Sequence, residues 1–256
     1  MSRFPFVLVL VPIAAFAQEM RSVHDHVASG DSWFYAGDNR LALHEYAEAY
    51  ALNSRGFEEN LRMARVYNDL GRVALGRSDS AEHFYRIAIQ FADSLVSLYP
   101  GKVESEFMAA LTNGSLLPFC GVHEKIRLGK IVRDHARRAL AIDSSYALTY
   151  VLLGIFEREG AKLSWLERSF VRLVFDTDIS GTLEQSELYL LSALRHDPGN
   201  AYALYELYWT YKAKGQAQRA IAALQGVVAS KPRTAREINQ YEEAQHELRG
   251  LEAATR

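Results

Sequence analysis

One stretch of the chain is crowded with oxygen donors: Asp176-Thr-Asp-Ile-Ser-Gly-Thr-Leu-Glu-Gln-Ser-Glu187. Asp176, Asp178 and Ser180 stand at the first, third and fifth positions of a twelve-residue loop. Gly181 is sixth, where such a loop turns sharply, and Glu187 is twelfth. Thr182 would offer its carbonyl, Glu184 would act through a water, and Leu183 supplies the apolar eighth position. A ring of hard oxygens at this spacing suits calcium, so 176–187 is a candidate EF-hand-like loop. Two features favour a plain solvated connection instead. Ile179 occupies a position that is usually polar or small, and no second loop exists for this one to pair with. In that reading Thr182 caps the following helix, with Gln185 three residues on.

Other chemistry is sparse, and the chain is expected not to be an enzyme. His44-Glu-Tyr-Ala-Glu48 lacks the second histidine of a zinc helix, and His24-Asp-His26 places two imidazoles at a spacing that does not share a helix face. No Gly-x-Ser-x-Gly elbow, Walker loop or Gly-x-Gly-x-x-Gly turn is present. Cys120 is the single cysteine among 256 residues, so packing alone must hold the chain. It lies in an apolar run and reads as a buried structural thiol. No cofactor is expected apart from the candidate calcium.

Charge and the first residues bear on surroundings. A formal charge of −2 gives no sign of nucleic-acid binding. Arg3, the apolar run Phe6 to Val11 with Ile13 to Phe16, and Ala15-Phe16-Ala17 before Gln18 have the form of an export leader over residues 1–17. The run is short and interrupted by Pro5 and Pro12, so no stable membrane span is expected after cleavage. The expected location is the periplasm or the medium. Residues 18–256 are then the working domain.

The elements that would position any site are helices. Pro198 and Pro232 stand 34 residues apart, the period of the tetratricopeptide repeat. Leu204, Leu207, Tyr208 and Tyr211 make one helical stripe; Ala217, Ala220, Ile221, Leu224, Val227 and Val228 make a second. Gly215 fits the turn between them, and Pro232 stops the second helix. One such pair cannot bury both stripes, so more are expected. A unit from Val23 to Ser54 carries Gly30, Trp33 and Gly37, then Ala42, Tyr46 and Ala49. A second begins near Phe57, with Ala64, Tyr67 and Gly71 at the same offsets, an insertion at 76–80, and then Ala81, Tyr85 and Ala88. Residues 103–113 predict a helix ended by Asn113-Gly114, followed by an apolar loop to Gly121 and a long helix over 123–142. That helix carries Lys125, Arg127, Lys130, Arg133, Arg137 and Arg138, either a basic patch or a solvated face. Further helices are expected from Ala147, from Leu163 to Phe175, from Thr182, and over 234–252. In the last, Ile238, Tyr241, Leu248 and Leu251 should face inward. The expected fold is all-α: a tetratricopeptide-type α-solenoid of about five helix-pair units with a C-terminal capping helix.

The series Ala139-Leu-Ala-Ile-Asp-Ser-Ser, Leu153-Gly, Leu163-Ser-Trp, Phe175, Thr182-Leu-Glu-Gln and Asp197-Pro198 resembles the regulator-of-microtubule-dynamics family. The likeness runs over roughly 85–250 and is strongest over 139–232. It implies an all-α repeat bundle and brings no catalytic residues. A microtubule role is not carried over, because an exported chain would not meet microtubules.

The functional expectation is therefore a scaffold binding a protein or peptide partner in its concave groove. In such a solenoid, positions 2, 5, 9 and 12 of each first helix face the groove. In the last pair these are Tyr202, Tyr205, Trp209 and Lys212. Upstream they include Leu61, Arg65, Asn68, Leu148, Val151, Ile155 and Arg158. Three aromatics and a cation on one surface suit an interface; the same rings would equally serve as packing against the C-terminal helix.

Overall fold

The computed structural model describes residues 21–76, 78–163, 181–230, 232 and 235–254. The candidate leader at 1–17, the helix expected over Leu163 to Phe175, and Asp176, Asp178 and Ser180 lie outside them. Among the described residues are eleven α-helices and no strand. They are α1 (Val23–Tyr35), α2 (Asn39–Leu52), α3 (Phe57–Val73), α4 (Ser78–Leu98), α5 (Val103–Leu116) and α6 (Val122–Ile142). They continue with α7 (Ala147–Ala161), α8 (Leu183–His196), α9 (Ala201–Ala213), α10 (Ala217–Ala229) and α11 (Ala235–Ala254). Consecutive helices pair as α1/α2, α3/α4, α5/α6, α7/α8 and α9/α10, and α11 closes the row. The fold is thus an all-α solenoid, with five helix pairs and a cap among the described residues.

Local signals set the helix ends. Ser22 and Asp25 form a reciprocal capping box at the start of α1. Asp38, Thr182 and Asn200 accept backbone N–H groups at the starts of α2, α8 and α9. Gly37 and Gly215 take positive φ values of 87° and 69°, which glycine adopts without the Cβ clash, and so reverse the chain inside the first and last pairs.

Gly71 does not match Gly37, the alignment expected from the sequence. It lies inside α3 and matches Gly30 instead. A Cβ on Gly71 would come 2.6 Å from the Tyr85 ring, and one on Gly30 would come 2.4 Å from the Tyr46 ring. Each glycine lets a tyrosine of the paired helix cross against its backbone. Gly154 does the same for Leu190, at 2.6 Å.

A second departure concerns Asn113-Gly114, which does not end α5. The Asn113 amide donates to the Ala109 carbonyl one turn back (2.9 Å), its side chain buried, and the helix runs on to Leu116 and a 3₁₀ turn over Leu117–Phe119. A side chain that bonds within the helix removes the reason to stop.

The core is a row of clusters, each shared by neighbouring pairs. Tyr46, Met63 and Val66 knit the first two pairs; Leu95, Phe107, Met108, Val132 and Leu153 knit the middle; Leu190, Leu207, Tyr208, Leu224 and Val227 knit the last. Phe91 touches both the first cluster and the middle one. Polar staples add direction. Tyr46 donates to Asp31 (2.7 Å), and Arg62 of the next pair reaches the same carboxylate (2.9 Å). Cys120 is buried against the third pair, and burial, helped by Glu124, pushes its thiol up to about 11, so it is inert as read from the sequence. No described helix is long and apolar enough to cross a membrane.

Candidate functional site

The first helices of successive pairs line one continuous groove with a volume of about 1740 Å³. Its wall is mainly apolar: Phe34, Leu61, Phe107, Leu148, Val151 and Ile155 come from α1, α3, α5 and α7. A cavity near this size far exceeds the range of small-molecule sites, roughly 300–1,000 Å³. Helix α11 adds Arg236, Glu237 and Asn239 to the lining.

The expected groove residues divide. Arg65, Asn68 and Tyr202 line the groove. Arg65 lies over the Phe34 ring (4.9 Å), and Tyr202 carries Arg236 above its ring (4.8 Å). Tyr205, Trp209, Lys212 and Arg158 are placed elsewhere. Tyr205 is buried and donates to Glu243 of α11; Tyr208 donates to Glu247, which also receives Lys212 (3.2 Å). Burial, with the Glu243 hydrogen bond behind it, raises the Tyr205 pKa. The physical reason is the cap. Helix α11 lies against α9 and α10, and it covers the α9 face that the positional rule turns toward the groove. Trp209 is 36% exposed, stacked near Lys212 (4.8 Å), and opens with Lys212 onto a separate hollow of about 400 Å³. Arg158 also borders that hollow, but its guanidinium is buried and spent: it donates to the Glu206 carbonyl (3.0 Å) and carboxylate (2.7 Å).

Of the calcium-loop residues that the structure describes, Thr182 caps α8 through the Gln185 N–H (3.0 Å), and Glu184 is mostly exposed. Glu187 is nearly buried between Lys214 (2.7 Å) and Arg219 (2.5 Å). Burial alone would raise its pKa, but those two donors outweigh it and hold the carboxyl below its ordinary value. Glu187 is thus occupied by two cations of the last pair.

Sequence reasoning missed Asn39 and Arg236 as groove residues. Asn39 opens α2, outside the first-helix positions that the groove rule considers. Arg236 belongs to a helix read only as a cap. The buried carboxamide oxygens of Asn39 and Asn68, both in the groove wall, have no hydrogen-bond partner among the described residues. Nothing in the linear pattern could announce that.

A family model described as regulator of microtubule dynamics protein 1-3 matches residues 27–252. The chain belongs to that family. It is 22% identical to regulator of microtubule dynamics protein 1 of Bos taurus over 74% of this chain and 58% of that protein. It is 24% identical to regulator of microtubule dynamics protein 3 of Xenopus laevis over 54% of this chain and 30% of that one. The chain spans about half the length of the relatives it matches. Among solved structures, a thermophilic tetratricopeptide-repeat protein of Thermus thermophilus aligns over 88% of this chain and 99% of its own, with a TM-score of 0.63 and 15% identity. PilW, a type IV pilus biogenesis factor, aligns over 89% and 92% with a TM-score of 0.50 and 16% identity. At such identities the likeness shows the fold alone: a family member built as a tetratricopeptide-type solenoid.

Proposed function

We propose that this chain is an exported, non-enzymatic scaffold that holds an extended segment of a partner protein in its groove. The observation that carries the reading is the groove itself. It is open and apolar-walled, runs past α1, α3, α5 and α7, and is too large for a small metabolite. Repeat solenoids present extended concave surfaces of this kind for binding chains rather than small molecules. The leader-like residues 1–17 support export. The calcium reading of 176–187 gains no such support, since its closing carboxylate is taken by Lys214 and Arg219.

The test is selection of random displayed peptides on the chain beginning at Gln18, followed by affinity measurement on the winners. Leu148→Glu, which puts a charge on the groove wall, should weaken them at least about tenfold, a loss of about 1.4 kcal/mol. Leu188→Glu, at a position 57% exposed and away from the groove, should leave them unchanged. Equal loss from both, or from Leu188→Glu alone, would refute the groove as the binding surface.

A further inference from the structure

The junctions between successive pairs are not built alike. In the middle of the row the first helices meet through apolar groups. Phe107 of α5 sets its ring edge-on to Tyr146 at the start of α7 (5.3 Å), and Leu152 and Leu153 share the cluster of Phe107 and Met108. The first and last junctions each carry an ion pair between first helices. Asp31 of α1 takes the Arg62 guanidinium of α3 in a two-pronged contact (Nε to Oδ1 3.0 Å, Nη2 to Oδ2 2.9 Å), and Arg158 of α7 takes Glu206 of α9 (2.7 Å). The two pairs differ in depth. Arg158 and Glu206 are nearly buried, and that arginine is also fixed on the Glu206 backbone carbonyl (3.0 Å). The side chains of Arg62 and Asp31 are 17% and 28% exposed, so water and salt reach them.

The second observation concerns what else holds the first pair. Between the second helices the contact is aromatic: Tyr50 of α2 meets Phe91 of α4 edge-on (5.2 Å), and Phe91 stacks on Tyr67 (5.8 Å). Helix α1 gives the local core only the half-buried Phe34, and Gly30 is its one buried residue. Three residues beyond Asp31 and Arg62, Phe34 and Arg65 make a second rung, with the guanidinium 4.9 Å from the ring centre; both line the groove. Tyr46 of α2 donates to Asp31 (2.7 Å), so that carboxylate belongs to the first pair as a unit. Apolar contact is non-directional, whereas a bidentate ion pair holds one geometry. Arg62 also meets Glu58 on its own helix, so parting from Asp31 does not leave it unpaired. A terminal repeat has a neighbour on one side only.

Resting on the groove reading above, we infer that the first pair is a hinged arm of the groove, with the aromatic contact of α2 and α4 as its pivot and Asp31 on Arg62 as the latch that closes α1 onto α3. With the latch made, Phe34 and Tyr35 stand in the groove wall. With it parted, the α1 wall swings outward and that end of the groove widens to admit a chain. The opposite end is fixed by Arg158 on Glu206 and by α11. The groove thus has one adjustable end and one rigid end, and Asp31 is the positioning residue of the adjustable one.

The experiment measures distances in the chain from Gln18 by pulsed electron resonance. Spin labels go on Arg40→Cys of α2 with Lys130→Cys of α6, and, as a control, on Lys130→Cys with Arg249→Cys of α11; all three positions are exposed, and Cys120 is buried. Asp31→Asn, which keeps the shape and removes the charge, should lengthen and broaden the distance from 40 to 130 and leave the control distance unchanged. Raising salt should move the first distance in the same direction. Tyr46→Phe removes the hydroxyl bond to Asp31 but keeps the latch; it should lower the unfolding midpoint without moving that distance. A displayed peptide selected on the groove should both associate and dissociate faster in Asp31→Asn. An unchanged distance in Asp31→Asn overturns the latch while the groove reading stands. A shift of equal size in Tyr46→Phe means general loosening of the first pair and overturns the role of Asp31. A shifted distance with unchanged peptide rates separates the arm from the groove and overturns the inference. If no selected peptide binds, the groove reading falls, and the arm's part in binding falls with it, whatever the distances.

Discussion

At the scale of single residues, the buried contact between Arg158 and Glu206 joins the fourth pair to the fifth, with side chains only 10% and 11% exposed. Removing one partner strands a charge. Arg158→Met should cost about 3–5 kcal/mol in urea unfolding, and adding Glu206→Leu should recover much of it. A loss below about 1 kcal/mol would show that the pair contributes as little as an exposed one. Gly71→Ala should cost about 1–3 kcal/mol, because the new Cβ meets the Tyr85 ring, whereas Gly76→Ala, with open space around it, should be neutral or mildly stabilising. Glu187 gives a pH dependence. Lys214 and Arg219 outweigh burial and hold its folded pKa below the unfolded value, about 4.3. Its contribution is therefore present above that pH and is lost as pH falls through the folded pKa. Glu187→Gln should lower stability at neutral pH and flatten the decline in acid. Calorimetry with millimolar calcium should give no heat at wild-type Glu187; a saturable heat lost in Glu187→Gln would restore the calcium reading.

At the scale of elements, the helices were largely legible, because a 3.6-residue stripe and a glycine turn are local facts. The Tyr208–Tyr211 and Ala220–Leu224 stripes formed the pair they predicted, with Gly215 in the turn. Two boundaries were not legible. Gly71 could serve as a turn or as a crossing point, and only the partner Tyr85 decides. Asn113-Gly114 reads as a stop until the Asn113 amide is seen donating inside its own helix. The cap was half legible. Helix α11 forms over Ala235–Ala254 as expected, yet Ile238 is 44% exposed rather than inward. Ala244 and Gln240 are buried, and Glu243 and Glu247 hold tyrosines of α9. Glutamates that look solvated in sequence thus fasten the cap. Glu243→Ala with Glu247→Ala should lower stability by about 1–3 kcal/mol and speed amide exchange across α11 more than across α1. Uniform acceleration along the chain would mean the cap is not held by those bonds.

At the scale of the molecule, stacking five pairs produces a surface that no single helix encodes. The positional rule found Arg65, Asn68 and Tyr202 in the groove, but it failed for Tyr205, Trp209 and Lys212, since it assumes open space beyond the last pair and α11 fills that space. Arg158 was lost to the groove through its contact with Glu206, a residue 48 positions away. Sites made by distant pairing are illegible for that reason. Export has its own check: sequencing of the protein from the producing cell should begin at Gln18, and an intact Met1 would refute cleavage after Ala17. The central claim is that the groove engages a partner chain. Site-specific photo-crosslinking from Ile155 in the groove and from Leu188 outside it, in the producing cell, tests it most directly. The account predicts one defined protein adduct from Ile155, lost in Arg65→Glu, and none from Leu188. An adduct from Leu188 with none from Ile155 would contradict it.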